Sequence, residues 1–157
     1  NLTRVRLTGR DLTGADLTGA NLDGANLTGV TLKGANLCEA NLDGANLKGS
    51  DLRGMNLSRV TLKGANLYEA NLCEANLCEA NLIYANLTGA HLQRANLTGA
   101  DLRGADLYGA NLTEANLQGA NLYAANLTEA DLTNAFADEE TTWPEGFDPV
   151  AAGVIFE

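Results

Sequence analysis

The chain has 157 residues and a net charge of −10, from 20 acidic and 10 basic side chains. That length suits a single domain. The acidic balance excludes non-specific attraction to nucleic acid or to an anionic membrane, and no apolar run is long enough to span a bilayer as a helix.

The chain begins at Asn1, inside a repeat and without Met, and no secretory signal precedes the repeat. It is expected to be a processed or excised piece of a larger protein, with a signal, membrane segment or catalytic domain in the remainder. From Leu2 to Leu132 leucine holds every fifth position, twenty-seven times without a miss. The residue before each leucine is Asn seventeen times and Asp six times. Of the positions spaced by five from Val5 to Ala135, twenty-one are Ala. The second residue after leucine is Gly fifteen times and Glu six. The unit reads A-(N/D)-L-x-G, as in Ala25-Asn26-Leu27-Thr28-Gly29.

A period of five fits neither a helix nor an ordinary strand. Leucines five apart would advance about 140° net per unit and spread around a helix. Asn, Asp, Gly and Thr also recur in every unit, and all are poor helix formers. A strict short period is the signature of a solenoid, with one extended piece and one turn per unit. Leu and the Ala two residues earlier face the same side of an extended segment, which must be the interior. The intervening Asn or Asp faces out and can bond the backbone at the bend. Gly supplies a positive φ there.

These units resemble the pentapeptide-repeat family, with the motif A-(D/N)-L-x-x, over residues 1–135. The resemblance implies an all-β fold: a right-handed quadrilateral parallel β-helix with four pentapeptides per coil. Twenty-seven units then make about 6.75 coils and a rod roughly 32 Å long at strand spacing. Residues 136–157 follow as a C-terminal capping segment. The family is abundant in cyanobacteria, so a cyanobacterial source is expected. A parent protein of the heterocyst-glycolipid membrane type would fit the start inside a repeat.

Val5, Arg10, Val30, Ser50, Met55 and Val60 stand where Ala is usual. Arg10 implies a first coil that is frayed or partly open, and the cluster at 50–60 implies local adjustment of the core. Cys38, Cys73 and Cys78 follow leucines and face out. On four-repeat coils Cys38 and Cys78 share a face but lie roughly 9.6 Å apart, beyond disulfide reach. Three free thiols are expected. They favour a reducing, cytoplasmic compartment, the alternatives being a periplasmic or lumenal location, or membrane attachment through the parent chain.

Several residues invite a chemical reading. His91 is the only histidine, and no nucleophile or acid cluster lies beside it in the sequence. Glu69, Glu74 and Glu79 fall on three successive faces and do not converge as calcium ligands. Thr8 and Thr28 begin a column that Lys48 and Tyr68 interrupt, so no threonine ladder forms. No paired acid and base, nucleophile or phosphate loop is present. The expectation is a non-enzyme without cofactor or metal.

The candidate interaction surface is Tyr68 and Tyr108 on one face and Ile83, Tyr84 and Tyr123 on the next, because exposed aromatics anchor interfaces. An identical block, Val30–Leu37 and Val60–Leu67, recurs at an offset of 30. That offset moves it to the opposite face and argues against one functional stripe. The candidate cap is Trp143, Phe147, Val150, Ile155 and Phe156, with one helical turn from Asp148-Pro149 to Gly153.

The function expected is a structural or protein-interaction module with an unknown protein partner. It makes no direct contact with nucleic acid and reaches a membrane only through a missing segment, with end-to-end association a further option. Alternatives are a spacer domain of a membrane-associated protein, or a DNA-mimic inhibitor of DNA gyrase. The ten bases of residues 1–135 weaken the mimic, which needs sustained negative faces.

Overall fold

The structure is a computed structural model and describes residues 1–156. Its architecture follows from where each pentapeptide sends its main-chain hydrogen bonds. In the unit Ala95–Gly99, the Ala95 N–H closes a turn onto the Leu92 carbonyl at 3.0 Å. Asn96 N–H donates back to Ala75 at 2.9 Å, while Leu97 and Gly99 donate forward to Asn116 and Gln118 at 2.8 and 2.9 Å. Thr98 N–H is capped by the Asn96 side chain, Oδ1 at 3.1 Å. All five N–H groups of the unit are thus satisfied, as buried backbone requires.

The same pattern repeats along the chain as parallel bridges between residues twenty apart, from Arg6↔Asn26 to Asn116↔Phe136, with one gap, between Thr31 and Asp51. Each pentapeptide contributes one bridge, so extended pieces are too short to make conventional strands. Among the described residues, longer pairing occurs only near the C-terminus, where β1 (Phe136–Ala137) lies parallel to β2 (Ile155–Phe156).

The bend in each unit is made at the second residue after leucine. Every such residue from Arg4 to Asn134 has φ between 52° and 69°. Glycine is the cheapest occupant there, yet twelve of these positions are not glycine, and six of those are Glu. The stack imposes the left-handed turn even where the residue resists it, at a cost of about 1–2 kcal/mol each.

Side chains follow the backbone. The leucines from Leu22 to Leu122 are at most 1% exposed and form one column with the alanines. Val30, Met55 and Val60 join the buried core, and the gap in the ladder between Thr31 and Asp51 lies beside Val30 and Met55. Ser50 is buried too, and its Oγ finds no hydrogen-bond partner. In the first coil Leu2, Leu7, Leu12 and Leu17 are only half-buried, with the Arg10 side chain exposed. The main-chain ladder nevertheless reaches Leu2, whose N–H donates to Asn21 at 2.7 Å, so the first coil is open at its end rather than frayed.

The tail differs from a simple lid. The ladder continues past residue 135: Phe136 pairs with Asn116, and Thr142 pairs with Asn121 at a spacing of 21. The extra residue is absorbed at Asp138, whose Oδ1 accepts the Gly119 N–H at 2.9 Å, a place a carbonyl takes elsewhere. Thr141 is buried beside it, its hydroxyl 3.0 Å from the Leu117 carbonyl. Asp148 then caps one helical turn by accepting the Ala151 N–H at 3.0 Å. Gly153 ends the turn with φ 84°, and Val154 N–H closes onto Pro149 at 3.0 Å; this is a Schellman closure.

The five expected cap residues divide. Trp143 and Phe147 stack on each other at 5.4 Å and pack against the core. Val150, Ile155 and Phe156 remain exposed, at 71%, 40% and 47%. The turn points Ala152 and Val154 inward instead, and Val154 takes the buried place.

Two substitutions test this account by denaturant titration. Leu77→Ala, in the middle of the column, should cost about 2–5 kcal/mol. A loss below about 1 kcal/mol would contradict an inward-facing leucine there. Ser50→Ala removes a buried hydroxyl without a partner from a position where Ala is usual, and should stabilise the chain by about 1 kcal/mol. A destabilised Ser50→Ala chain would mean that the hydroxyl is satisfied.

Candidate functional site

With interior positions mostly apolar and most main-chain N–H groups committed to the ladder, chemical variety lies mainly in outward columns of residues spaced by twenty. An Asx bond caps the bend wherever Asn or Asp precedes the leucine, as at Thr98 and Thr113. Where Thr61 replaces Asn, Asp43 from the coil below supplies the missing acceptor, bonding Lys63 N–H at 2.9 Å.

Two ionic ladders run along the columns. Arg59 bridges Glu79 at 3.0 Å and Glu39 at 3.4 Å. Arg94 bridges Glu114 at 2.8 Å and Glu74 at 3.8 Å. All six side chains are well exposed, so the pairs add little stability. Sequence reasoning missed them by comparing Glu69, Glu74 and Glu79 along the chain. The informative signal was charge reversal at a spacing of twenty.

Arg53 and Arg103 instead close on the Asp two residues earlier. Arg103 grips Asp101 through Nε at 2.8 Å and Nη2 at 2.6 Å, and Arg53 grips Asp51 at the same two distances. The Arg103 hydrogen bond holds the Asp101 carboxyl below its ordinary range against partial burial. Arg53 does the same for Asp51, with a smaller contribution from Lys33.

A shallow cleft of about 650 Å³ lies over Val30, Met55, Lys33, Arg53, Cys73 and Glu74. A second, of about 430 Å³, continues from Cys73 and Glu74 past Arg94 to Glu114. Their charged groups are largely paired with one another. The three cysteines are free and half-buried. Cys38 touches the Ser58 hydroxyl at 3.3 Å, which puts Ser58 in the column between Cys38 and Cys78, and the Cys73 thiol donates to Gln93 Oε1 at 3.1 Å. His91 is exposed in a column with Asn71 and Asn111.

The candidate interaction residues fall into two groups. Tyr68 is half-buried, carries Lys48 Nζ 4.8 Å above its ring, and has Glu69 beside its hydroxyl, which raises the phenol pKa. Tyr108 is 40% exposed and has its hydroxyl raised likewise by Glu129. Tyr84 and Tyr123 are more open, at 68% and 60%. Ile83, half-buried, precedes Tyr84 and shares its column with Arg103 and Tyr123. The Tyr84 ring reaches over Gly104, where an added Cβ would come within 2.5 Å of it.

Comparison with known proteins explains the repeat. Pentapeptide repeats match in eight copies, over residues 1–37, 20–59, 40–77, 56–94, 71–109 and 105–138. The chain belongs to the pentapeptide-repeat family. Its fold is accordingly the right-handed β-helix of that family. HetL, a pentapeptide repeat protein involved in heterocyst differentiation regulation from the cyanobacterium Nostoc sp. strain PCC 7120, is 38% identical; the match covers 92% of this chain and 70% of HetL, with a TM-score of 0.58. Rfr23 from the cyanobacterium Cyanothece 51142 is 31% identical over 85% of this chain and 91% of its own, with a TM-score of 0.66. A pentapeptide repeat protein of the Arabidopsis thaliana thylakoid lumen is 38% identical over 60% of this chain and 66% of its own, with a TM-score of 0.58. No curated protein matches the chain.

The paired aspartates give the fold a pH signature. A carboxylate depressed in the folded state contributes stability above its unfolded pKa, and that contribution is lost as pH falls through the folded value. The denaturation midpoint should therefore drop as pH falls below about 4, and Asp101→Asn should show a shallower drop. An equally steep loss in Asp101→Asn would remove the Asp101–Arg103 pair as a contributor.

Proposed function

We propose that this chain is a non-enzymatic interaction module: a quadrilateral β-helix of about 6.75 coils over residues 1–135, closed by the segment 136–157, that presents side-chain columns to a protein partner. One observation carries this reading. The stack consumes most of the main chain and the interior, so side-chain variety lies mainly at outward positions, among which Tyr84 and Tyr123 stand open. Tyrosines on a rigid support are efficient interface anchors because they lose little side-chain freedom on binding.

The free, half-buried thiols support a reducing compartment. The arginines at positions 59 and 94 interrupt two acidic columns, which is poor mimicry of a continuous phosphate backbone.

The test is capture from a cyanobacterial lysate, with the full chain beside a version ending at Ala135 and one carrying Ile83→Ser with Tyr84→Ser. The double substitution should leave the denaturation midpoint nearly unchanged and weaken capture of any specific protein. Capture unaffected by it would remove this surface from the reading. Supercoiling by DNA gyrase, assayed in parallel, should be unaffected by the protein, and inhibition would displace the proposal.

A further inference from the structure

We infer that the partner's anchoring segment is cationic: a Lys/Arg-bearing stretch of protein that lays its side chains on Tyr84 and Tyr123 beside the acidic tail. This rests on the interaction-module reading and gives the partner a chemistry.

The aromatic faces are there to be used. Among the described residues, Tyr68 is the one tyrosine with a cation over its ring, supplied by Lys48 from the coil below. The rod thus satisfies one tyrosine by itself with the interaction that Tyr84 and Tyr123 leave open. Tyr84 is held in place by the bare surface of Gly104, and Tyr123 lies one coil further on beside Ala124. The guanidinium between them, Arg103, has its charge closed on Asp101 and so repels an incoming cation little.

The surrounding field is negative. Residues 136–157 carry six acids and no base. Thr142 pairs with Asn121, two residues before Tyr123, which brings the tail to this end of the column. Glu139, Glu140 and Glu145 are exposed there. Asp138 and Asp148 are occupied by main-chain N–H groups, so among the described residues of the tail Glu139, Glu140 and Glu145 are the acids left for a partner.

Other modes of binding are poorly served. The main-chain N–H groups beneath Tyr84 are spent within the stack: Tyr84 N–H donates to the Arg103 carbonyl and Gly104 N–H to the Tyr123 carbonyl, both at 3.0 Å. Tyr84 and Gly104 offer no free N–H to an added strand, so recognition at Tyr84 comes from side chains. Neither cleft includes Tyr84 or Tyr123, which leaves stacking against an open ring. An anionic ligand would meet the tail's charge. A cation gains from both the ring faces and the carboxylates.

The test is fluorescence anisotropy with a labelled arginine-rich peptide, and a glutamine/serine peptide of equal length as control, at low and high salt. The full chain should bind the cationic peptide and not the control. Tyr84→Ala with Tyr123→Ala should weaken binding about tenfold, whereas Tyr68→Ala with Tyr108→Ala should not. Glu139→Gln, Glu140→Gln and Glu145→Gln together should weaken binding and flatten its salt dependence. An unchanged denaturation midpoint verifies that each variant folds.

Equal affinity in the Tyr84/Tyr123 variant, equal binding of the neutral peptide, or no binding by the full chain would overturn the inference. The lysate experiment separates the two levels. Capture of a specific protein that depends on Tyr84, without peptide binding, sinks the cationic partner and leaves the interaction module standing. Failure of both experiments sinks both.

Discussion

Each coil is tied to the next by main-chain hydrogen bonds, and those bonds line up because the chain bends left-handed at the same place in every pentapeptide. The bend sets the direction of the next extended piece, and the piece must meet the one twenty residues before it. Leucine packing depends on this. A leucine points inward only because the preceding and following bends aim it there, and it is covered only because the next coil stacks at hydrogen-bonding distance. The twelve non-glycine bends show which interaction dominates: Glu, Arg, Tyr and Ala are all forced to positive φ where the stack demands it.

That constraint divides the molecule into a uniform inside and a variable outside. The side-chain amide or carboxylate before each leucine serves the bend, leucine and alanine serve the core, and two positions per unit remain for anything else. Those two positions carry the ionic ladders, the thiols and the tyrosines. Function is therefore confined to columns running along the rod, where neighbours in space are twenty residues apart in sequence. Arg59 reaches Glu39 and Glu79, and Lys48 reaches Tyr68, across that interval. The same logic separates the tyrosines. Two are engaged by neighbouring charges and two stand clear, a difference set by what lies one coil away.

The ends obey a different rule, because a stacked ladder has nothing to pair with at its limits. At the C-terminus the chain keeps pairing through Phe136 and Thr142, absorbs an extra residue with the Asp138 carboxylate, and packs Trp143 against Phe147 over the core. Large apolar residues in the tail were legible as candidates for covering the last coil. Which of them turn inward was not, since that depends on the Asp148–Gly153 turn and its orientation. The turn buries Val154 and leaves Val150 outside, although the two look alike in the sequence.

By itself the sequence determined the repeating unit, the inward leucine and alanine, the bend and the class of fold, because each rests on interactions within a pentapeptide or on a period repeated twenty-seven times. It marked the tyrosines as outward, since each stands at one of the two free positions of its unit. What the tertiary structure decided was adjacency: the interval of twenty that pairs Arg94 with Glu74 and Glu114, the reach of Tyr84 over Gly104, and the course of the tail. These are contacts between residues distant along the chain, and no local periodicity encodes how many units the backbone needs to close a coil.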